Sequence, residues 1–147
     1  MFIHEGRPAT PPWTCVLRDQ CQLKVFRLAD ELAKQVYAQS KRFPREEAFG
    51  LTSQMRRAAV SIAANIVEGC ARSSHADYLR FLEIAYGSAR ELQYELGLCS
   101  ELGYLDSDAA AKLNHQCTET AKALNGLIRA LRSPPRSAAA HSDRSVG

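Results

Sequence analysis

The chain has 147 residues, 46% of them apolar and 24% charged, with a formal net charge of +3 and a pI near 8.7. That length and composition point to one globular domain able to bury a core, and exclude the low-hydrophobicity, high-charge class. The slight positive balance is short of the excess expected of a dedicated nucleic-acid binder, and no run approaches the roughly 18 apolar residues of a membrane span.

Residues 1–18 include the proline-bearing stretch MFIHEGRPATPPWT, have no periodicity, and read as a disordered or loosely attached extension. A helical domain is expected over 19–132, followed by a disordered tail over 133–147. The first helix is predicted from about Gln20 to Phe43, with Asp19 as N-cap, Pro44 as terminator and Val25, Leu28, Leu32 and Val36 facing inward. The second helix begins between Pro44 and Thr52 and runs to about Gly69. A third starts at the acidic capping pair Ser74 and Asp77 and runs to Leu102, where Gly103 can take the left-handed conformation. The fourth starts near Asp106 and carries Leu113, Cys117, Thr120, Leu124, Leu127 and Leu131 at heptad spacing, with Pro134 and Pro135 beyond it. Four helices with short connections imply an all-α, antiparallel up-down four-helix bundle.

On the second helix Leu51, Met55, Ala58, Ala59, Ile62 and Ile66 form the core stripe. Val60, Ala64 and Val67 gather on the opposite face, where a monomer should be polar. The third helix repeats this: Tyr78, Leu82, Ala85, Ala89, Leu92 and Leu96 face inward, while Gly87, Tyr94 and Leu98 lie opposite. A helix apolar on two sides is usually buried on two sides, so these six outer residues are the candidate interface of a homo-oligomer. Between the faces of the second helix runs a polar row of Ser61, Asn65, Glu68 and, if the helix continues so far, Arg72, with Glu68 and Arg72 in ion-pairing order.

Five cysteines, Cys15, Cys21, Cys70, Cys99 and Cys117, contain no C-x-x-C pair, and the four histidines are scattered, so no metal site and no cofactor are expected. Cys99 and Cys117 fall on apolar helix positions and read as buried thiols. With no apolar signal segment in Met1–Trp13, the expected compartment is reducing and cytoplasmic. Ser61 has no histidine beside it in sequence and no glycine-rich phosphate loop exists, so no enzyme is expected.

The stretch FGLTSQMRRAAVSIAANIVEGCAR places two adjacent arginines, Arg56 and Arg57, to either side of the outer apolar patch. Lys41, Arg42, Arg45, Arg72 and Arg80 cluster nearby in sequence, interleaved with Glu46, Glu47, Glu68 and Asp77. Two readings follow for the basic set: phosphate contacts, for which Lys41, Arg42, Arg56, Arg57, Arg72 and Arg80 are the candidates, or structural ion pairs.

That stretch, with DYLRFLEIAYGSARELQYEL and ELGYL after it, strongly resembles the 23S rRNA intervening-sequence proteins, over about Leu23 to Leu131. The resemblance implies a small antiparallel four-helix bundle assembling as a ring, a homopentamer. It adds Gln54, Gly69, Ser88 and Glu91 to the motif's polar and glycine positions, so that Glu91 joins the polar seam of Ser61, Asn65 and Glu68. The family is also similar to accessory proteins of diversity-generating retroelements, basic barrels that bind a reverse transcriptase and nucleic acid. The expected function is therefore a non-enzymatic RNA-associated oligomer, or alternatively an adaptor docking a partner protein such as a retroelement reverse transcriptase.

Overall fold

The structure, a computed structural model, describes residues 20–133; the extension, nearly all of the tail, Asp19, Pro134 and Pro135 lie outside the described residues. Four helices follow one another: α1 (Gln20–Ser40), α2 (Leu51–Cys70), α3 (His75–Glu101) and α4 (Ser107–Arg132), with a single 3-10 turn at Arg45–Glu47. No strand occurs among the described residues, and the class is all-α as expected. Each helix packs on the next and α1 packs on α4, with α2 against α3 the most extensive contact.

The core is the sum of the predicted stripes. Leu32, Val36, Met55, Ile62, Ile66, Leu82, Leu92, Leu96 and Leu124 are fully buried. At about 1.5–3 kcal/mol for each large side chain, their burial is the main term holding four amphipathic helices together. Thr120, the hydroxyl within the heptad seam, is also fully buried and donates to the Gln116 carbonyl one turn back at 2.8 Å. Its polar group is therefore satisfied within its own helix.

Two expectations for the first helix need correction. Val25, Leu32 and Val36 are buried as expected, but Leu28 is only half-buried, and Phe26 and Ala29 complete the inward stripe in its place. The helix also ends at Ser40, not Phe43: Arg42 N–H donates to the Gln39 carbonyl and Phe43 N–H to that of Ser40, closing the chain into turns. The reason is packing, since Phe43 leaves the helix to enter the core beside Tyr104, with ring centroids 5.6 Å apart.

The helix ends follow local chemistry. Ser74 accepts from Asp77 N–H at 3.2 Å and Asp106 from Ala109 N–H at 2.8 Å, each satisfying an otherwise orphaned donor. α3 closes in a Schellman motif: Tyr104 N–H reaches the Cys99 carbonyl at 2.9 Å and Gly103 N–H that of Ser100 at 3.1 Å. Gly103 holds φ +76°, which an L side chain rarely adopts. α2 has no side-chain cap of its own at Gly50. Instead Glu47 Oε2 accepts from Leu51 N–H at 2.9 Å, so the preceding 3-10 turn caps the helix from outside.

Candidate functional site

The α2–α3 contact carries the polar seam. Ser61 and Ser88 meet hydroxyl to hydroxyl at 2.9 Å, and the Asn65 amide donates to both the carbonyl and hydroxyl of Ser61, at 2.8 and 3.0 Å. One turn toward the start of α2, Arg57 donates to Glu91 on α3 and to Gln54 Oε1 on its own helix. Glu68 holds Arg72 at 2.6 Å, the expected i, i+4 pair. Gly69 allows the tight approach of the helices, since a Cβ there would lie 3.0 Å from Phe81 Cβ and 3.1 Å from Tyr78 Cδ2.

The adjacent arginines diverge. Arg57 turns to α3, whereas Arg56 turns to α1, where its Nε donates to the Ser40 hydroxyl at 2.8 Å and its guanidinium stands 4.7 Å from the Tyr37 ring centroid. A rotation of about 100° per residue puts neighbouring side chains on different flanks of one helix. Each arginine therefore clasps a different neighbour of α2.

The remaining candidates separate along the molecule. Arg72 and Arg80 lie over the Phe81 ring, 4.8 and 5.6 Å from its centroid. Arg56 is in the second turn of α2 and Arg72 lies just past its last residue, Cys70, which is itself about 21 Å along the axis from Arg56, so the basic set does not form one patch. At the other end Lys41, Arg42 and Arg45 are exposed in the α1–α2 connection, and none has an ion-pair partner among the described residues. Their sequence neighbour Glu47 is engaged elsewhere: one oxygen caps α2 and the other accepts from the Tyr104 hydroxyl at 3.0 Å. Arg42 shares a shallow cleft with Lys112 and with the acids Asp106 and Asp108.

The six candidate interface residues fall into two patches. Val60, 44% exposed, Ala64 and Val67 line a groove between α1 and α2, together with Phe26, Ala33 and the acids Asp30 and Glu68. Gly87, exposed, Tyr94, 71% exposed, and Leu98, half-buried, lie on the outer stripe of α3 beside Ile84. The polar seam runs between the two.

Glu95 is the residue that pattern reading missed. It is 6% exposed, its Oε2 is buried without a hydrogen-bond partner, and it lies among Glu91, Arg57 and Cys99. Burial first, and then the Glu91 carboxylate, push it up to about 7, against the pull of Arg57. A glutamate flanked by the buried Leu92 and Leu96, one turn from Glu91, was the available signal. Burial likewise pushes the Cys99 and Cys117 thiols up to about 12, so at neutral pH neither is a thiolate nucleophile. Among the described residues no group of three His, Cys, Asp or Glu side chains could hold a metal ion, and no helix is long and apolar enough to cross a membrane.

A crystal structure of a protein of unknown function from the S23 ribosomal protein family of Bacteroides thetaiotaomicron VPI-5482 is 29% identical, superimposes with a TM-score of 0.70, and is matched over 75% of this chain and 99% of its own. No curated protein matches the sequence. Residues 21–126, from the first turn of α1 to the last two turns of α4, match the 23S rRNA-intervening sequence protein family. The polar seam, the glycine at the helix crossing and the paired arginines all lie within that span, and the chain belongs to this family.

Proposed function

We propose that the protein is a non-enzymatic, cytoplasmic homo-oligomer that binds RNA through phosphate contacts from its α1–α2 corner. The observation that carries this reading is the basic corner itself. Lys41, Arg42 and Arg45 are exposed and none is held in an ion pair among the described residues, so their side chains are free to reach phosphate, while Glu46, Glu47, Asp106 and Asp108 nearby keep the attraction of a single corner weak. Arg57 and Arg72, each already paired with a glutamate, serve the bundle first.

The assembly is a ring, five-fold by the family resemblance, of subunits whose helices alternate up and down. Contacts between distant connections support the alternation: Glu47 before α2 meets Tyr104 before α4, and His75 at the start of α3 meets the Leu131 carbonyl near the end of α4 at 3.0 Å. Repeating a weak corner around a ring multiplies its few cations into a belt whose avidity exceeds that of one subunit.

The test is light scattering of the full chain with a structured RNA fragment at low and moderate salt. Wild-type assembly gains RNA mass and loses it as salt rises. Lys41→Gln/Arg42→Gln/Arg45→Gln retains the assembly but loses the RNA, with a shallower salt dependence. Undiminished retention by the triple variant would refute the corner.

A second reading, an adaptor for a partner protein, is favoured by Phe49. This side chain is 99% exposed just before α2. An aromatic so placed is a natural anchor for a protein partner. A ring that ignores RNA at every salt but whose partner binding is lost on Phe49→Ser would select this reading.

A further inference from the structure

We propose that the α1–α2 groove is the seat of a second copy's α3 ridge, a head-to-tail contact using two different surfaces of each molecule. The inference rests on the self-assembly reading above and adds which faces meet and in which sense.

The groove is concave and apolar. Val60, Ala64 and Val67 of α2 line it with Phe26 and Ala33 of α1, around a hollow of about 400 Å³. The ridge is convex, with Ile84 and Tyr94 44% and 71% exposed on one stripe of α3 and Leu98 in line with them. From Ile84 to Leu98 the stripe runs about 21 Å along the helix axis, long enough to fill a groove between two helices. The Arg57–Glu91 and Ser61–Ser88 contacts lie between groove and ridge, so within one chain neither apolar patch covers the other.

Charge favours this occupant. Asp30 and Glu68 line the groove, and each engages a nearby cation four residues on through one oxygen only, with Lys34 at 2.7 Å and Arg72 at 2.6 Å. Arg80 and Arg90 flank the ridge, exposed and without an ion-pair partner among the described residues. The acids beside the ridge, Glu83 and Glu91, are held by Arg132 and Arg57 in the same way, so pairing leaves the groove acids balanced and the ridge with two unpaired cations. The complementarity is therefore between the two unpaired ridge cations and the second, unengaged oxygens of Asp30 and Glu68 in the groove. Gly87 sits within the ridge, where an added Cβ would meet nothing within 4 Å in the same chain. A glycine there costs helix stability in the isolated molecule and lets the α3 backbone approach the small side chains Ala33 and Ala64 of the next copy. Because the two faces differ, the contact is heterologous, and repetition closes a ring when the rotation between copies divides a full turn.

The experiment uses two variants of the full chain: a groove variant, Val60→Asp/Ala64→Asp, and a ridge variant, Ile84→Asp/Tyr94→Asp. Molar mass is read by light scattering and helicity by circular dichroism. Wild type is multimeric, and each variant alone falls to one-chain mass with helicity retained. An equal mixture of the two recovers a mass of two chains and no more, because one intact ridge and one intact groove make a single contact. A ridge variant that dissociates while the groove variant keeps wild-type mass would overturn the proposal in favour of ridge-to-ridge pairing, as would a mixture that stays at one-chain mass. Where an aspartate pair unfolds the chain, Ala64→Gln and Tyr94→Ser apply the same logic, with at least tenfold weaker association expected of each alone and recovery on mixing. A wild type that is a single chain at every concentration removes self-assembly altogether, whereas failure of the mixing step alone leaves assembly standing on other faces.

Discussion

Ser61 on α2 and Ser88 on α3 share a hydroxyl-to-hydroxyl hydrogen bond of 2.9 Å at the most extensive helix contact of the molecule. Small side chains let the two helices approach, and the hydroxyls satisfy each other where water is largely excluded. Ser88→Ala therefore costs about 1 kcal/mol, because Ser61 retains Asn65 as a partner. Ser88→Leu overfills the contact and costs about 1–3 kcal/mol. Urea unfolding of the two variants gives the order; a leucine variant as stable as wild type would mean the helices are not held at this spacing.

Glu95 makes stability fall as pH rises through the weakly acidic range. Its carboxyl sits at about 7 in the fold against an ordinary value of 4.5, so the native state holds the proton more tightly than the unfolded chain. The sign follows: there is no penalty below about 4.5, a growing one up to about 7, and a constant one above. The full penalty is on the order of 3 kcal/mol. Glu95→Gln keeps the shape, abolishes that slope and is the more stable protein at pH 8, while the two chains differ little at pH 4.5. Urea midpoints at both pH values measure it, and parallel curves would show that Glu95 is not held protonated.

Arg56 and Arg57 lose different things on truncation. The Arg57–Glu91 pair has side chains 58% and 40% exposed, so Arg57→Gln costs only about 0.2–1 kcal/mol, fading with salt. Arg56→Gln removes a hydrogen bond to the buried Ser40 and a contact with Tyr37, about 1–2 kcal/mol with weaker salt dependence. Neither single change reduces RNA retention as far as the triple change at Lys41, Arg42 and Arg45. Thermal melts at two salt concentrations, alongside the retention assay, separate bracing from phosphate contact.

Two glycines of similar helical setting respond oppositely to alanine. At Gly69 the added methyl meets Phe81 and Tyr78 at 3.0–3.1 Å, so packing strain of about 1–3 kcal/mol outweighs the gain in helix propensity. At Gly87 nothing in the chain obstructs it, and Gly87→Ala gains about 0.5–1 kcal/mol in the dissociated subunit. The measurement is unfolding at a concentration where each variant is a single chain; equal effects at the two positions would contradict the geometry.

Helix count, caps and core stripes were legible in the sequence because each depends on residues within a turn or two of one another. Ser74, Asp106 and Gly103 act through hydrogen bonds or dihedral angles of their own segment, and the periodicity of Leu82, Leu92 and Leu96 marks a buried face whatever covers it. Family membership was legible for the same reason, since ordered local motifs carry it. The pairing of Glu68 with Arg72 and the opposite lean of Arg56 and Arg57 followed from helical rotation alone.

Tertiary structure decided whatever needed a partner from another element. Phe43 leaves α1 early because the Tyr104 ring is there to receive it, and no pattern within α1 encodes that ring. Arg57 became a brace rather than a free cation because Glu91 lies opposite, 34 residues away in sequence. Glu95 is buried because α2 closes over a position that looks solvated on its own helix. The six outer apolar residues, one set on paper, became a groove and a ridge because α1 borders one and the polar seam separates it from the other. Period and local bonding are properties of a segment, whereas burial, charge pairing and surface shape arise only when segments meet.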